Sequence, residues 1–167
     1  KKFNLIINVV EEKDKILDTG GGVLNAIQYF SNEPFLILNP DTIWNSHYLE
    51  ELKLMEKNFF ENKKNKCSLL VVNKTKSFDK SYKGDFNLEN NLIIRKDRDN
   101  LNYIYTGLQI IKPKAFSGFD AKVFSINKIW DRLIKSKELY GIESNIDFFH
   151  VSNLDIYKNL LEIKFKR

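Results

Sequence analysis

Phe35-Leu36-Ile37-Leu38-Asn39-Pro40-Asp41-Thr42 is the stretch on which the fold turns. Four apolar residues in a row read as a short buried strand, and Asn39-Pro40 stops it, because proline has no N–H to give to a ladder. A carboxylate follows at once. Asp41, just past a buried strand and approached through the stiff Pro40, is placed to hold a hard cation such as Mg²⁺. It could equally cap a turn together with Thr42.

Upstream, Leu17-Asp18-Thr19-Gly20-Gly21-Gly22 reads as a loop, after which Val23, Ala26, Ile27 and Phe30 recur at helical spacing. Residues 3–10, rich in Leu, Ile and Val and closed by Glu11-Glu12, read as a further buried strand. The order is therefore strand, glycine-rich turn, helix, strand.

Downstream, residues 46–60 predict an amphipathic helix with Leu49, Leu52 and Met55 inward, Glu50, Glu51 and Lys53 outward, and Ser46 as N-cap. Residues 68–72 predict a third strand and 74–83 a polar loop. Residues 85–88 and 92–94 predict a hairpin across Glu89-Asn90-Asn91. Tyr103 to Ile111 is a β-branched and aromatic strand closed by Pro113; Gly107 inside it marks close approach of a ligand or of another backbone. Ile126, Ile129, Trp130, Leu133 and Ile134 form a helical stripe over 127–137. Two strands at 139–142 and 146–151 and a closing helix at 155–165 complete the pattern. No repeat or linker interrupts it, so residues 1–167 read as one domain. Alternating strands and helices predict a parallel α/β sheet to which the hairpins add an antiparallel part. Ligands of such sheets sit at the carboxyl ends of strands, where both the triple glycine and Asp41 fall.

Composition narrows the classes. With 43% apolar and 29% charged residues, the chain reads as a soluble globular domain rather than a disordered or membrane one. One cysteine among 167 residues excludes an internal disulfide framework and fits a reducing, cytoplasmic setting. Apolar runs are too short to span a bilayer, so no membrane partner is expected. Lys and Arg outnumber acids 27 to 22, but the excess is nearly all Lys, and Lys63-Lys64-Asn65-Lys66 lacks Arg and aromatics, so no nucleic-acid partner is expected. The chain begins at Lys1, not Met, and a segment upstream is expected.

Three consecutive glycines let backbone approach a ligand, and a helix N-terminus behind them offers N–H groups to anions. No Gly-Lys-Ser/Thr follows, which excludes a P-loop, and G-x-G-x-x-G is absent. His150 in Phe148-Phe149-His150-Val151 reads as a sheet residue and His47 as a surface one. With two distant His and one Cys, a structural zinc site is excluded.

In combination these pieces resemble the sugar-1-phosphate nucleotidyltransferases. Residues Leu17 to Gly22 are similar to that family's L-G-T-A-G-A or L-E-T-G-G-G loop, and Phe35 to Thr42 to its strand ending in G-D or N-G-D. Tyr103-Ile104-Tyr105-Thr106-Gly107-Leu108-Gln109 is similar to its Y-x-x-T-G-x-x strand, and Lys83-Gly84-Asp85-Phe86 to its short glycine turn. The triple glycine and Ile43-Trp44 look most like the N-acetylmuramate 1-phosphate uridylyltransferase and mannose-1-phosphate guanylyltransferase branch.

The resemblance implies a Rossmann-like three-layer α/β/α fold with a mixed sheet, truncated at its N-terminus. It implies a cytoplasmic enzyme of nucleotide-sugar and cell-envelope biosynthesis that joins a nucleoside triphosphate to a sugar 1-phosphate and releases pyrophosphate. Asp41 would hold Mg²⁺, Thr19, Gly20 and Gly21 would line the nucleotide pocket, and Gly84, Thr106 and Gly107 would face the sugar phosphate.

Three departures accompany it. The family's G-x-G-T-R and P-K-P segments are absent. The second metal-binding Asp corresponds to His150, a poor ligand for Mg²⁺. The family's E-K pair reads Arg95-Lys96, leaving Lys96 as the catalytic cation. The chain is expected to self-associate or to be completed by an N-terminal fragment, and the expected alternative to the enzyme is a catalytically dead or regulatory pseudoenzyme that binds a sugar nucleotide.

Overall fold

A computed structural model describes residues 5–13, 15–96, 100–120 and 123–163. Its helices are α1 (Asp18–Ala26), α2 (Tyr48–Glu61), α3 (Asn127–Lys135) and α4 (Leu154–Glu162). Its strands are β1 (Phe35–Leu38), β2 (Cys67–Asn73), β3 (Asn87–Glu89), β4 (Leu92–Ile94), β5 (Tyr103–Ile111) and β6 (Leu139–Ser144). They form one six-stranded sheet in the order β1-β5-β2-β6-β4-β3.

The sheet is mixed, as expected, but less parallel than the strand–helix alternation predicts. Among the described strands only β2 and β6 pair in parallel, while β5 lies antiparallel between β1 and β2. Because β5 opposes both, β1, β2 and β6 point the same way, and their carboxyl ends share one edge. β2 is the spine: every residue from Cys67 to Val72 is buried, with neighbours hydrogen-bonded on both sides.

The period-two alternation of a strand sends its side chains to two cores. Leu69 and Val71 join Ile129, Trp130 and Leu133 of α3 on one face, where Val23 and Leu24 of α1 also pack. Leu70 faces Met55 and Phe59 of α2 on the other. Helices thus cover both faces, giving the α/β/α layering. Leu70, Met55 and Phe59 are each 0% exposed, and such side chains stabilise by about 1.5–3 kcal/mol apiece relative to exposure.

Cys67 lies at the start of the spine with its thiol on Gln109 Oε1 at 3.3 Å, and burial pushes its pKa up. The β3–β4 hairpin turns on Asn90 and Asn91, both at positive φ, which Asn tolerates better than other side-chain-bearing residues.

Several expectations are corrected. Residues 5–10 form no strand: Leu5, Ile6, Ile7 and Val9 are 72 to 93% exposed. They pair with no strand of the described sheet, and an apolar run without a ladder partner has no β-structure to join. Phe3, and the expected helix end at 164 and 165, lie outside the described residues. Residues 146–151 make isolated bridges instead of a strand, Ser77 with Phe148 and Thr42 with His150. In α2, Leu49 is exposed while Tyr48, Met55 and Phe59 are buried, and its N-cap is His47 rather than Ser46. The glycines of 20–22 do not precede α1; they lie within it.

Candidate functional site at the carboxyl edge

Three loops leave the shared edge and tie themselves together through backbone. Residues 39–47 follow β1, residues 74–83 follow β2, and residues 145–151 follow β6. Ile43 N donates to Phe149 O at 2.9 Å and Val151 N to Asp41 O at 2.8 Å, on either side of the Thr42–His150 bridge. Phe78 N donates to Phe148 O at 2.9 Å and Phe148 N to Lys76 O at 3.0 Å. With the backbone partners supplied inside the protein, the side chains left over face one another.

Those side chains are Asp41, His150 and Tyr82. His150 Nε2 stands 3.1 Å from Asp41 Oδ2. On the other side of the ring, Nδ1 stands 2.7 Å from the Tyr82 hydroxyl. The imidazole is 18% exposed and the Asp41 side chain 46%, so the carboxylate forms the open end of the row. Burial pushes the Tyr82 phenol up to about 12, with the charges of Asp79, Asp85 and Asp41 acting in the same direction. It stays protonated at any physiological pH. Asp79 is buried, and both of its oxygens are engaged, Oδ1 by Ser81 Oγ at 2.6 Å and Oδ2 by Ser152 Oγ at 2.9 Å. The Ser81 hydroxyl and backbone N–H hold its carboxyl below the usual range, with Ser152 adding to them. Asp79 thus ties the loop after β2 to the segment that carries His150.

The Asp41 turn is fixed from β5. Thr42 Oγ1 donates to Thr106 O at 2.7 Å, Asn39 N to Gly107 O at 2.8 Å, and Thr106 Oγ1 to Leu70 O at 2.9 Å. Gly107 has φ +95°, and a Cβ there would lie 2.7 Å from the Asn39 Cβ. The glycine in the strand therefore marks approach of another chain segment, the second of the two readings its position allowed. Thr106 and Gly107 are buried beneath the Asp41 turn rather than open to solvent.

The remaining expected site residues stand apart from this row. In α1, Gly21 N donates to Phe124 O at 3.1 Å, and a Cβ on Gly20 would lie 2.5 Å from the Phe124 ring. Thr19 is exposed at the helix start, where its N–H meets the Asp18 carboxylate. The partners of the glycine turn are Phe124 and, through Gly22 and Leu17, Glu12; it shares none with Asp41 among the described residues. Gly84, at φ +91°, lets the chain pass Leu101 O, which a Cβ would approach to 2.5 Å. Lys96 is exposed and pairs with Glu89 across the β3–β4 hairpin at 3.3 Å. Its neighbour Arg95 bridges Asp131 and Asn127 and covers Phe86.

Sequence reasoning missed Tyr82 and Asp79. Their signal was the density of Ser, Asp and Tyr in residues 77–82, where the hydrophobic pattern fails. A wider cleft of about 760 Å³, lined by Leu24, Ile27, Pro34 and Pro113, lies beside the amino end of β1 and carries no carboxylate or imidazole. Among the described residues no three His, Cys, Asp or Glu side chains gather as a metal-binding group, and no helix is long and apolar enough to cross a membrane.

No protein-family model matches the chain. It is 25% identical over 149 residues to an N-acetylmuramate α-1-phosphate uridylyltransferase from Caulobacter vibrioides, a match covering 88% of this chain and 61% of that protein. The chain thus spans less than two thirds of the curated relative. Among solved structures, a Bacillus anthracis protein assigned as a glucose-1-phosphate thymidylyltransferase and crystallised with sucrose superposes with a TM-score of 0.66. The identity is 18%, over 93% of this chain and 65% of that one. An inositol-1-phosphate CTP transferase from T. maritima superposes with a TM-score of 0.61 at 16% identity, over 87% and 62%. These likenesses establish the fold.

Proposed function

We propose that this relative of the sugar-1-phosphate nucleotidyltransferases takes part in converting a nucleoside triphosphate and a sugar 1-phosphate into a nucleoside-diphosphate sugar and pyrophosphate. The observation that carries the reading is the convergence of the loops after β1, β2 and β6 on Asp41 at the carboxyl edge of the sheet. That is where α/β folds place their ligands.

The reaction is in-line attack of a sugar-phosphate oxygen on the α-phosphorus, with pyrophosphate leaving on the opposite side. It needs no covalent nucleophile from the protein. Holding the two phosphates in line and neutralising their charge supplies the acceleration. The resemblance assigns Thr19, Gly20 and Gly21 to the nucleotide, which would have to displace the Asp18 carboxylate from the Thr19 N–H and Phe124 O from the Gly21 N–H to reach that backbone. Gly84 would keep its turn free of a side chain beside the sugar phosphate. Thr106 and Gly107 would act from below, holding Asn39 and Thr42 so that Asp41 keeps its position. Lys96 would leave Glu89 to meet phosphate charge.

The resemblance also implies Mg²⁺. Mg²⁺ takes oxygen ligands in tight octahedral geometry. Here one carboxylate is paired with an imidazole nitrogen, and the carboxylate oxygens of Asp79 are held by serines. The donor set does not suit Mg²⁺.

The test is pyrophosphate release by the full chain with UTP, GTP, CTP or dTTP against a panel of sugar 1-phosphates, with Mg²⁺ and Mn²⁺ supplied in separate series. Release that requires both substrates supports the reading. Nucleotide or sugar-nucleotide binding without release in any series would support the pseudoenzyme instead.

A further inference from the structure

We propose that a small pocket under the carboxyl-terminal end of α2 binds a monovalent cation, with K⁺ as its representative, through uncharged oxygens. The pocket lies at the amino ends of β2 and β6, on the edge of the sheet opposite Asp41, and it stands independently of the transferase reading.

The elements around it fix its shape. Ser68 and Tyr140, register partners in β2 and β6, form the floor. Ser68 lies two residues before Leu70 and so shares the sheet face that packs on α2. Asn58 and Asn62 come down from the end of α2, Asn65 closes the side, and the Asn90-Asn91 turn of the β3–β4 hairpin forms the rim. The enclosed space is about 160 Å³. That is room for an ion with a few waters, at about 30 Å³ for each water.

Two oxygens on this pocket have no partner. Asn65 is 1% exposed and Ser68 0%, yet neither Asn65 Oδ1 nor Ser68 Oγ makes a hydrogen bond within the protein. Buried polar atoms are nearly always paired, with protein, water or an ion, so two orphan oxygens on one small cavity mark an occupant. A third oxygen joins them. Asn58 Nδ2 donates to Leu54 O at 2.8 Å, which leaves the Asn58 amide oxygen to the pocket.

The surroundings choose the charge of that occupant. Water satisfies such oxygens too, but the pocket sits at the last turn of a 14-residue helix, whose carbonyl end favours positive charge in its place. No charged side chain lines it among the described residues, so a divalent ion finds none of the carboxylates it needs. Neutral carbonyl-type oxygens are the donors that replace the hydration shell of K⁺. The lysines of the adjoining turn weigh little against this, since Lys63 and Lys64 are exposed to screening solvent and Lys66 is paired with Glu138 at 2.6 Å.

The experiment is urea unfolding of the full chain, followed by circular dichroism, with K⁺ replacing tetramethylammonium at constant ionic strength. Li⁺ serves as the control ion, and ²⁰⁵Tl resonance of added Tl⁺ reads occupancy directly. The folding equilibrium constant should rise about tenfold when K⁺ stands at ten times its dissociation constant. Li⁺ should leave it nearly unchanged, and K⁺ should displace bound Tl⁺. Ser68→Ala should fold without K⁺ as well as the parent does, and should weaken K⁺ about tenfold through the lost oxygen. Asn58→Ala, at a half-buried helix position, should weaken it in the same direction. Identical unfolding in K⁺ and tetramethylammonium would mean that water alone fills the pocket, and would overturn the proposal. So would equal responses to Li⁺ and K⁺, or an unchanged K⁺ affinity in Ser68→Ala (in Asn58→Ala, should the first variant not fold). Neither readout uses pyrophosphate release, so the result stands whichever way the transferase test falls.

Discussion

The glycine turn of α1 and the Asp41 turn after β1 look equally functional in the sequence, and the structure treats them in opposite ways. At Gly20 and Gly21 the missing side chains admit Phe124, whose carbonyl also takes the Gly21 N–H. At Asp41 the backbone is satisfied inside the protein by β5 and by residues 149–151, and the side chains are what remain. One turn is built by subtraction so that the protein can touch itself. The other holds its backbone still so that a half-exposed carboxylate meets a largely covered imidazole. Small residues and turn residues mark close approach in both places, and only the contacts reveal whether the visitor is protein or ligand.

Substitutions can break or sharpen that contrast. The largest effect is expected for Asp41→Asn, which should lower pyrophosphate release by roughly a hundredfold or more. Its partly exposed pairing with His150 is worth less than about 1 kcal/mol, so the urea midpoint should hardly move. Unchanged turnover would make the Asp41 turn as purely structural as the glycine turn. Gly107→Ala comes next: the +95° φ and the Asn39 Cβ at 2.7 Å together should remove more than about 2 kcal/mol of stability by urea titration. Gly20→Ala should cost about 1–3 kcal/mol, because the new methyl meets both the ring and the carbonyl of Phe124. If its nucleotide affinity falls further than its stability explains, the glycine turn belongs to the site after all.

Gly22→Ala tests the same turn with the opposite sign. The Cβ there meets only the end of the Glu12 side chain, and alanine in a helix gains about 0.5–1 kcal/mol over glycine, so thermal unfolding should shift slightly upward. The smallest effect concerns pH. Asp79, held below its ordinary pKa by Ser81 and Ser152, contributes stability above its unfolded value, and that contribution fades as pH falls through the lowered one. Ser81→Ala should therefore be less stable than the parent at neutral pH, and the gap should close in strong acid, as followed by circular dichroism across an acid titration.

What was legible in the sequence was what depends on neighbours along the chain. The Tyr103–Ile111 strand matches in both bounds, the Asn90-Asn91 hairpin turn forms, and the stripe of Ile129, Trp130 and Leu133 packs inward. Asp41 sits where a strand-ending carboxylate should. What depends on partners far along the chain was not legible. Residues 5–10 are as apolar as the spine strand β2, yet β2 has β5 and β6 beside it, and residues 5–10 pair with no strand among the described residues. Leu49 fits the apolar stripe of α2 by position, but Tyr48 takes the inward place. Tyr82 lies 68 residues from His150 in a loop without periodicity, and nothing local announces that the two meet.

The burial of Cys67 gives the molecule a clock. It is the one cysteine in the chain, 0% exposed, with a thiol that burial keeps protonated. The thiolate is the nucleophile that attacks an alkylating reagent, so capture waits until β2 parts from its neighbours and the sulfur meets water. With no second thiol to blur the signal, the mass shift of the intact chain counts only such openings. The labelling rate, divided by that of a free cysteine, becomes the equilibrium constant for opening the spine of the sheet.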